Sequence, residues 1–416
     1  METLRKLRLF AEQMDLEPAE ETRAGRAPRH IPLPMSSGNG RAARQSSTAD
    51  SHPSTPLPCG APRASKGKEE LGVFNASIGG GKTVPLLKTM LTSACERNCY
   101  YCPFRAGRNY RRASFKPDEM ARTFMDMQRA GMVDGLFLSS GILKGGASTQ
   151  DKLLDTAEIL RYKLGFRGYL HLKIMPGVER AQVERAMQLA DRLSVNLEAP
   201  NTRRLHSLAP MKVFTEELVR PLQWIEEIRR SQPQRLGWNG RWPSTVTQFV
   251  VGAVGESDLE LLSTTDYLYR QLRLRRAYFS AFRPISDTPL EENDAENPWR
   301  EHRLYQASFL LRDYGFDMEE MPFDDGGNLP LDHDPKMGWA HHNLLVEPVE
   351  LNRADREALL RVPGIGPKGA QAILRARRQK KLRDVEDLRK IGVVTTRLAP
   401  FVLLDGRRPV RQLRLL

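Results

Sequence analysis

Cysteine is scarce in this chain, with four among 416 residues. A secreted scaffold stapled by disulfides is thereby excluded, and a reducing compartment such as the cytoplasm fits the composition better. Long apolar runs are absent as well. None approaches the roughly 18 residues that a membrane span needs. Met1–Leu16 mixes charges of both signs where a signal peptide would carry an apolar core, and it reads as a short amphipathic helix. No repeat of solenoid period is visible. What is present is ample for a core: 40% of residues are hydrophobic and 28% charged, which excludes global disorder. The length corresponds to two or three domains.

The net charge of +13 is unevenly placed. Residues 352–416 hold 17 Lys and Arg against 6 Asp and Glu, whereas residues 69–351 hold 36 against 38. A near-neutral body with a strongly basic tail suggests that the tail meets a polyanion, and nucleic acid is the expected partner. Residues 17 to about 68 are rich in Ser, Pro, Gly, Ala and Arg and lack periodicity, so 1–68 is expected to be a flexible leader.

From Leu71 onward, short β-rich runs alternate with amphipathic helical segments. The runs are Leu86–Leu91, Gly135–Ser140, Tyr169–Met175, Leu193–Glu198, Thr245–Gly252 and Ala277–Arg283. The helices are Pro117–Ala130, Thr149–Lys163, Arg180–Ala190, Thr215–Arg230 and Asp258–Arg273. Six β/α units in series predict an α/β fold with a parallel sheet, open or closed, over 69–285. Chemistry in such folds sits at the C-terminal ends of the strands. Residues 286–351 read as a connecting region with one helix, Trp299–Asp313. Residues 352–416 read as a small all-α domain.

Three of the four cysteines fall in Cys95-Glu-Arg-Asn-Cys99-Tyr-Tyr-Cys102, just after the first strand. Three thiolates on one loop can ligate three irons of a cubane, since soft thiolates suit Fe–S chemistry. A structural zinc site would want four ligands, and no second cysteine knuckle exists. Three ligands leave one iron open to a cofactor or substrate.

With Tyr101 before the third cysteine, residues 71–285 resemble the radical S-adenosylmethionine (SAM) superfamily. The resemblance implies a partial (β/α)6 barrel in which Cys95, Cys99 and Cys102 hold a 4Fe-4S cluster and SAM chelates the open iron. One electron from a donor then cleaves SAM to a 5′-deoxyadenosyl radical. Leu138-Ser139-Ser140-Gly141 stands where family members hold the SAM amino group through a Gly-Gly-Glu-like motif. Here Ser139, Ser140 and Gly141 depart from that pattern, so hydroxyl or backbone oxygens would serve. Alternation puts Ser194, Asn196 and Glu198 on one face of the fourth strand. Asn196 and Glu198 suit the ribose and methionyl groups of SAM, and Lys173 could face Glu198. The run from Phe249 to Glu256, with Gly252, loosely resembles the family's adenine region. Ser280, in Phe279–Pro284, stands where backbone contacts to adenine are usual.

Other motifs are set aside. Ala76–Thr83 matches a permissive P-loop pattern, but a strand rather than a helix is expected straight after it. Asp332-His333-Asp334 and His341-His342 lack the spacing of a metal site. Cys59, in the leader, reads as an ordinary thiol.

In the basic tail, Val362-Pro363-Gly364-Ile365-Gly366-Pro367 separates two short helices and resembles a helix-hairpin-helix motif. Such a hairpin exposes N–H groups at the start of the second helix, where an anion such as DNA phosphate fits. Gly364, Gly366, Lys368, Arg377 and Arg378 are the expected contacts, with Arg375, Lys380 and Lys381 adding attraction that ignores sequence. A second hairpin at Ile391-Gly392-Val393 is weaker. Taken with Tyr169–Gly177, Arg300–Ala307 and Asp334–Lys336, the whole of 57–405 resembles a radical SAM family associated with DNA modification or repair. Its members are linked to a uracil-DNA glycosylase-like protein, which implies a cytoplasmic enzyme with such a partner. The same residues also fit an RNA-modifying enzyme, or an Fe–S adaptor that binds DNA and cleaves no SAM.

Overall fold

A computed structural model describes residues 2–12, 14, 66–79 and 82–409, so Cys59 and most of the expected leader lie outside the described residues. The central sheet has seven strands in sequential order: β1 (Val73–Gly79), β2 (Lys82–Met90), β3 (Gly135–Ser139), β4 (Tyr169–Lys173), β5 (Arg192–Ser194), β6 (Ser244–Val251) and β7 (Arg276–Ala281). Strands β2 to β7 are mutually parallel, with helical crossovers between them, and form the expected partial (β/α) barrel. The sheet stays open, with β1 and β7 as its edges.

Strand β1 is an addition to the expected pattern. It pairs antiparallel with β2, with Ala76 opposite Val84 and Ser77 opposite Thr83. The described residues of the P-loop-like run therefore lie in two paired antiparallel strands, and the strand that follows cannot supply helical amides to a phosphate.

Helices α2 (Pro117–Arg129), α3 (Gly146–Glu158), α4 (Arg180–Leu189), α5 (Thr202–Leu208), α6 (Arg220–Ser231) and α7 (Asp258–Leu272) link the parallel strands. The expected helix Thr149–Lys163 is split: α3 ends at Glu158 and a π-helical turn, Ile159–Lys163, completes it. The expected helix Thr215–Arg230 likewise begins as a π-helical turn, Phe214–Val219, before α6.

The amphipathic helix expected within Met1–Leu16 forms, and it is packed, unlike the flexible leader expected over 1–68. Glu2–Ala11 is a packed helix, α1, whose Leu7 and Phe10 are buried in the barrel core. Phe10 meets Phe115 at 5.8 Å between centroids, and Lys6 bonds Glu119 at 2.7 Å. Burying two such apolar side chains contributes about 1.5–3 kcal/mol each, enough to hold a ten-residue helix on the body.

The connecting region is also part of the body. Helix α8 (Pro298–Phe309) covers edge strand β7: Tyr305 is fully buried and its hydroxyl accepts the Phe279 N–H at 3.2 Å. Arg300 reaches Asp258 at 2.7 Å and Glu296 at 2.5 Å, tying α8 to α7. Beyond α9 (Pro335–Asn343), a separate core forms around Leu359, Leu360, Ile373, Leu388, Leu398 and Phe401. Its elements are β8 (Val349–Glu350), α10 (Arg356–Arg361), α11 (Pro367–Gln379), α12 (Val385–Lys390) and β9 (Val402–Leu403). Strand β9 pairs with β8 and closes the module on itself.

Candidate cofactor site and nucleic-acid-binding module

The loop after β2 carries the three cysteines to the C-terminal end of the sheet. Gly141, just after β3, makes this possible. A Cβ there would stand 2.3 Å from the Ala94 carbonyl oxygen, so only glycine admits the cysteine loop this close. Cross-links then fix the loop: Glu96 N–H donates to the Ile142 carbonyl at 2.8 Å, and Tyr100 N–H to the Leu208 carbonyl at 2.9 Å. Glu96 Oε2 and Oε1 accept the N–H groups of Lys144 and Gly145.

All three thiols line one cavity that opens to solvent. The thiols are free of disulfides, and Cys99 is buried. Ile142 N–H points at Cys95 Sγ and Phe104 N–H at Cys102 Sγ, each at 3.4 Å. Hydrogen bonds to the sulfurs of this kind tune a cluster's potential. Burial pushes the Cys99 and Cys102 thiols up, with Lys212 pulling the other way. Metal binding would have to displace those protons.

Ser139, Ser140, Gly141, Asn196 and Glu198 line the same cavity, as does Lys173. Strand β5 ends at Ser194, earlier than expected, because the chain then kinks. Leu197 N–H donates to the Thr247 hydroxyl at 3.1 Å, and Glu198 takes φ +64°, a strained value for a residue with a side chain. The kink turns the buried Glu198 carboxylate into the cavity. Asn196 is fixed by a 3.2 Å hydrogen bond to Gln248, which also lines the space. Ser194, expected beside them, is buried elsewhere.

Two residues unseen in the sequence complete the cavity. Lys212, in the loop after α5, donates to Glu198 Oε1 at 3.1 Å, with both side chains almost wholly buried. The expected Lys173 shares the cavity, but the described ion pair with Glu198 is made by Lys212. Arg97 grips Glu217 at 2.7 Å and the Met211 carbonyl, holding the loop that presents Lys212. Neither has a local signature, since each acts across more than a hundred residues or from an irregular loop. Gly252 and Ser280 are not among the described residues lining the cavity. Gly252 packs against Glu296, and Ser280 lies half-buried on β7.

The donor set fits a cubane and SAM. Glu198 Oε2 is buried with no hydrogen bond of normal geometry among the described residues, the Tyr101 hydroxyl lying beside the carboxylate, and it lines the same cavity as the thiols, where a polar ligand could reach it. No three His, Cys, Asp or Glu side chains among the described residues gather as a single-ion site. A cubane does not ask for that, because each thiolate holds a different iron. Asp332–His333 is a local pair, and His341 meets the Phe401 ring at a tilt.

In the C-terminal module, Gly364 takes φ +88°, and a Cβ there would press within 2.9 Å of the Val394 carbonyl oxygen. This glycine lets α10 and α11 meet at a tight hairpin, with Gly366 as the cap of α11. Lys368, Arg375, Arg378, Lys380 and Lys381 are exposed. Arg377 differs from expectation. Its Nη1 turns inward to the carbonyls of Leu351 and Ala354, at 3.0 and 2.5 Å, so it braces the module. The module is docked by Arg361, which bonds Glu320 at 2.8 Å and the carbonyls of Tyr314 and Gly315, and by Lys336, whose ammonium donates to the Ile365 carbonyl at 2.6 Å.

Two parts of the chain match known families. Residues 89–268 match the radical SAM superfamily, whose enzymes use a 4Fe-4S cluster and SAM, and residues 346–398 match a helix-hairpin-helix motif. No curated protein matches the chain. Among solved structures it is similar to the FeFe-hydrogenase maturase HydG from Carboxydothermus hydrogenoformans, at 14% identity over 55% of this chain and 51% of that one, with a TM-score of 0.43. It is also similar to methylornithine synthase PylB, at 15% over 55% and 61% with a TM-score of 0.43. A radical SAM methyltransferase from Sphaerobacter thermophilus matches at 15% over 57% and 65% with a TM-score of 0.40. The chain thus spans about half to two thirds of the length of these structures.

Proposed function

We propose that this chain, with a radical SAM domain over 89–268 and a helix-hairpin-helix motif over 346–398, is a radical SAM enzyme that modifies or repairs DNA. The observation that carries the first half is the single cavity shared by Cys95, Cys99, Cys102 and the polar groups at the ends of β3 and β5. When bound, the cluster and SAM supply one-electron cleavage to a 5′-deoxyadenosyl radical that takes a hydrogen atom from the substrate. The chain's own residues bind and orient. Each of the three thiolates holds one iron. Ser139, Ser140 and the backbone at Gly141 receive the SAM amino group, and Asn196 and Glu198 receive its ribose and methionyl parts. Lys212 holds the Glu198 carboxylate in its aim.

The second half rests on the basic hairpin. Gly364 and Gly366 present backbone N–H groups to a phosphate, and Lys368 and Arg378 add charge. Contacts of this kind grip DNA without reading sequence, so selection falls to the barrel, which would receive a base flipped from the stack. A uracil-DNA glycosylase-like partner would work on the same class of extruded base. The free thiols and the reducible cluster suit a cytoplasmic setting, where an electron donor is at hand.

The test is anaerobic. The cluster is reconstituted, SAM and dithionite are added, and 5′-deoxyadenosine is quantified with duplex DNA, single-stranded DNA, structured RNA or none. Formation that rises with DNA supports the reading. A rise with RNA alone transfers the substrate to RNA. No cleavage beside an intact cluster spectrum favours a DNA-binding adaptor. Cys99→Ala is expected to lose iron and SAM cleavage and to retain DNA affinity.

A further inference from the structure

The chain just after the third cysteine has a charge pattern unlike the rest of the body. Residues 97–117 hold six Lys and Arg and no Asp or Glu, inside a body that is otherwise slightly acidic. Five of the six lie beyond Cys102: Arg105, Arg108, Arg111, Arg112 and Lys116. A solvated helix face does not explain them, because residues 102–113 form an irregular loop.

Arg112 shapes that loop from within. Its guanidinium donates to the carbonyls of Ser93, Phe104, Arg105 and Arg108 and to the Tyr110 hydroxyl, at 3.0–3.4 Å. It also lies 4.4 Å from the centre of the Tyr110 ring. Five donations from one fixed fork hold the backbone in a set curve. Arg105 and Arg108 bond only neutral acceptors among the described residues: Asn98 Oδ1 for Arg105, and the Ser286 and Pro103 carbonyls for Arg108. Both remain half-exposed, and Arg111 is exposed. The described acidic neighbour, Asp287, is turned to the Asn109 N–H at 2.9 Å.

The position matters as much as the charge. Pro103 and Phe104 line the thiol cavity, so the loop begins at its wall. The bonds of Arg108 to Ser286 and of Asn109 to Asp287 join the loop after β2 to the loop after β7. The basic loop thereby links the C-terminal ends of the first and last parallel strands of an open sheet. It forms a cationic rim beside the thiol cavity, held in shape by Arg112.

We propose that Arg105, Arg108 and Arg111 form a second nucleic-acid contact at the barrel mouth, which binds the phosphates flanking the nucleotide delivered to the thiol cavity. This rests on the nucleic-acid reading of the hairpin module and deepens it. Guanidinium forks pair bidentately with phosphate, and a rim already held by Arg112 loses little freedom on binding. The hairpin module holds the duplex or strand at a distance, and the rim sets which nucleotide sits over the cavity.

The experiment uses the full chain and a fluorescein-labelled single-stranded oligonucleotide, with anisotropy titrations across a range of salt. Arg105→Ala/Arg108→Ala/Arg111→Ala is expected to weaken binding about tenfold near physiological salt and to lower the salt slope by about 0.7 for each phosphate no longer bound. Arg111→Ala alone, exposed and outside the loop's hydrogen bonds, is expected to lower the slope by about one such step with an unchanged melting temperature. Lys368→Glu/Arg378→Glu reports on the hairpin module separately. If that variant loses affinity while the rim variants keep both affinity and slope, the rim inference falls and the nucleic-acid reading stands. If the wild-type chain binds no oligonucleotide, both fall. If polyglutamate displaces the oligonucleotide from the rim as well as unlabelled DNA does, the rim belongs to an acidic protein partner and the inference is wrong.

Discussion

Removing Lys212 tests whether the cavity is built as described. Lys212 and Glu198 are 3.1 Å apart, with side chains 9% and 6% exposed, so solvent screens the pair little. At an effective dielectric of about 20, the attraction at that distance is about 5 kcal/mol. Loss of one partner from a buried pair ordinarily costs about 3–5 kcal/mol, because the remaining charge is left without compensation. The two figures agree in size. Lys212→Met preserves the length of the stem and removes only the charge. In urea, with a slope of about 3 kcal/mol per molar, the midpoint of the apo protein should fall by about 1–1.7 M. Replacing Glu198 as well, in Lys212→Met/Glu198→Gln, removes the stranded carboxylate and should restore more than half of the loss. A midpoint within about 0.2 M of wild type would refute the buried-pair account. So would a double variant no more stable than the single one. In the reconstituted protein the same substitution removes a cation beside the thiolates, so the cluster's reduction potential should fall.

Three further outcomes follow from the docking of the C-terminal module. Burial among Tyr314, Asp334, Arg361 and Arg397 pushes Lys336 down to about 7 from 10.5, despite the opposing pull of Asp334. Between those values the unfolded chain binds the extra proton, so stability should climb with pH from about 7 to about 10, by at most about 1.4 kcal/mol per unit. A wild-type minus Lys336→Met difference that stays flat over that range would count against it. Arg361→Ala leaves Glu320 and two carbonyls without their donor and uncovers the Phe316 ring 4.1 Å away. It should cost about 3 kcal/mol and speed amide exchange in α10 and α11 while the barrel stays protected. Gly364→Ala must adopt a positive φ and press on the Val394 carbonyl. A loss of about 2 kcal/mol in the module and weaker duplex binding are expected, and an unchanged melting curve would refute the hairpin account.

Local sequence carried the β/α alternation, the cysteine triplet and the basic hairpin. Each depends on residues close in the chain: a period of two or 3.6, three thiols in eight positions, two glycines around one apolar residue. Strand order also brought Ser139 to Gly141 to the cavity, but alternation did not place Asn196 and Glu198: it grouped Ser194 with them, whereas β5 ends at Ser194 and a kink past its end turns Glu198 inward. Tertiary structure decided the rest. Lys212 is an ordinary loop lysine until the fold sets it against a carboxylate on another strand end. Arg97 and Arg361 work across 120 and 41 residues, and no window of sequence encodes those distances. The left-handed turn at Glu198 comes one residue after Leu197, whose N–H goes to the Thr247 hydroxyl, a partner that only the packed sheet supplies. Helix α1 packs because the sheet offers its apolar face a surface, which its own ten residues cannot announce. Arg377 turned inward because two carbonyls at the start of the module needed a donor. Periodicity and spacing determine which elements form, whereas the partners of buried charges are settled only when those elements meet.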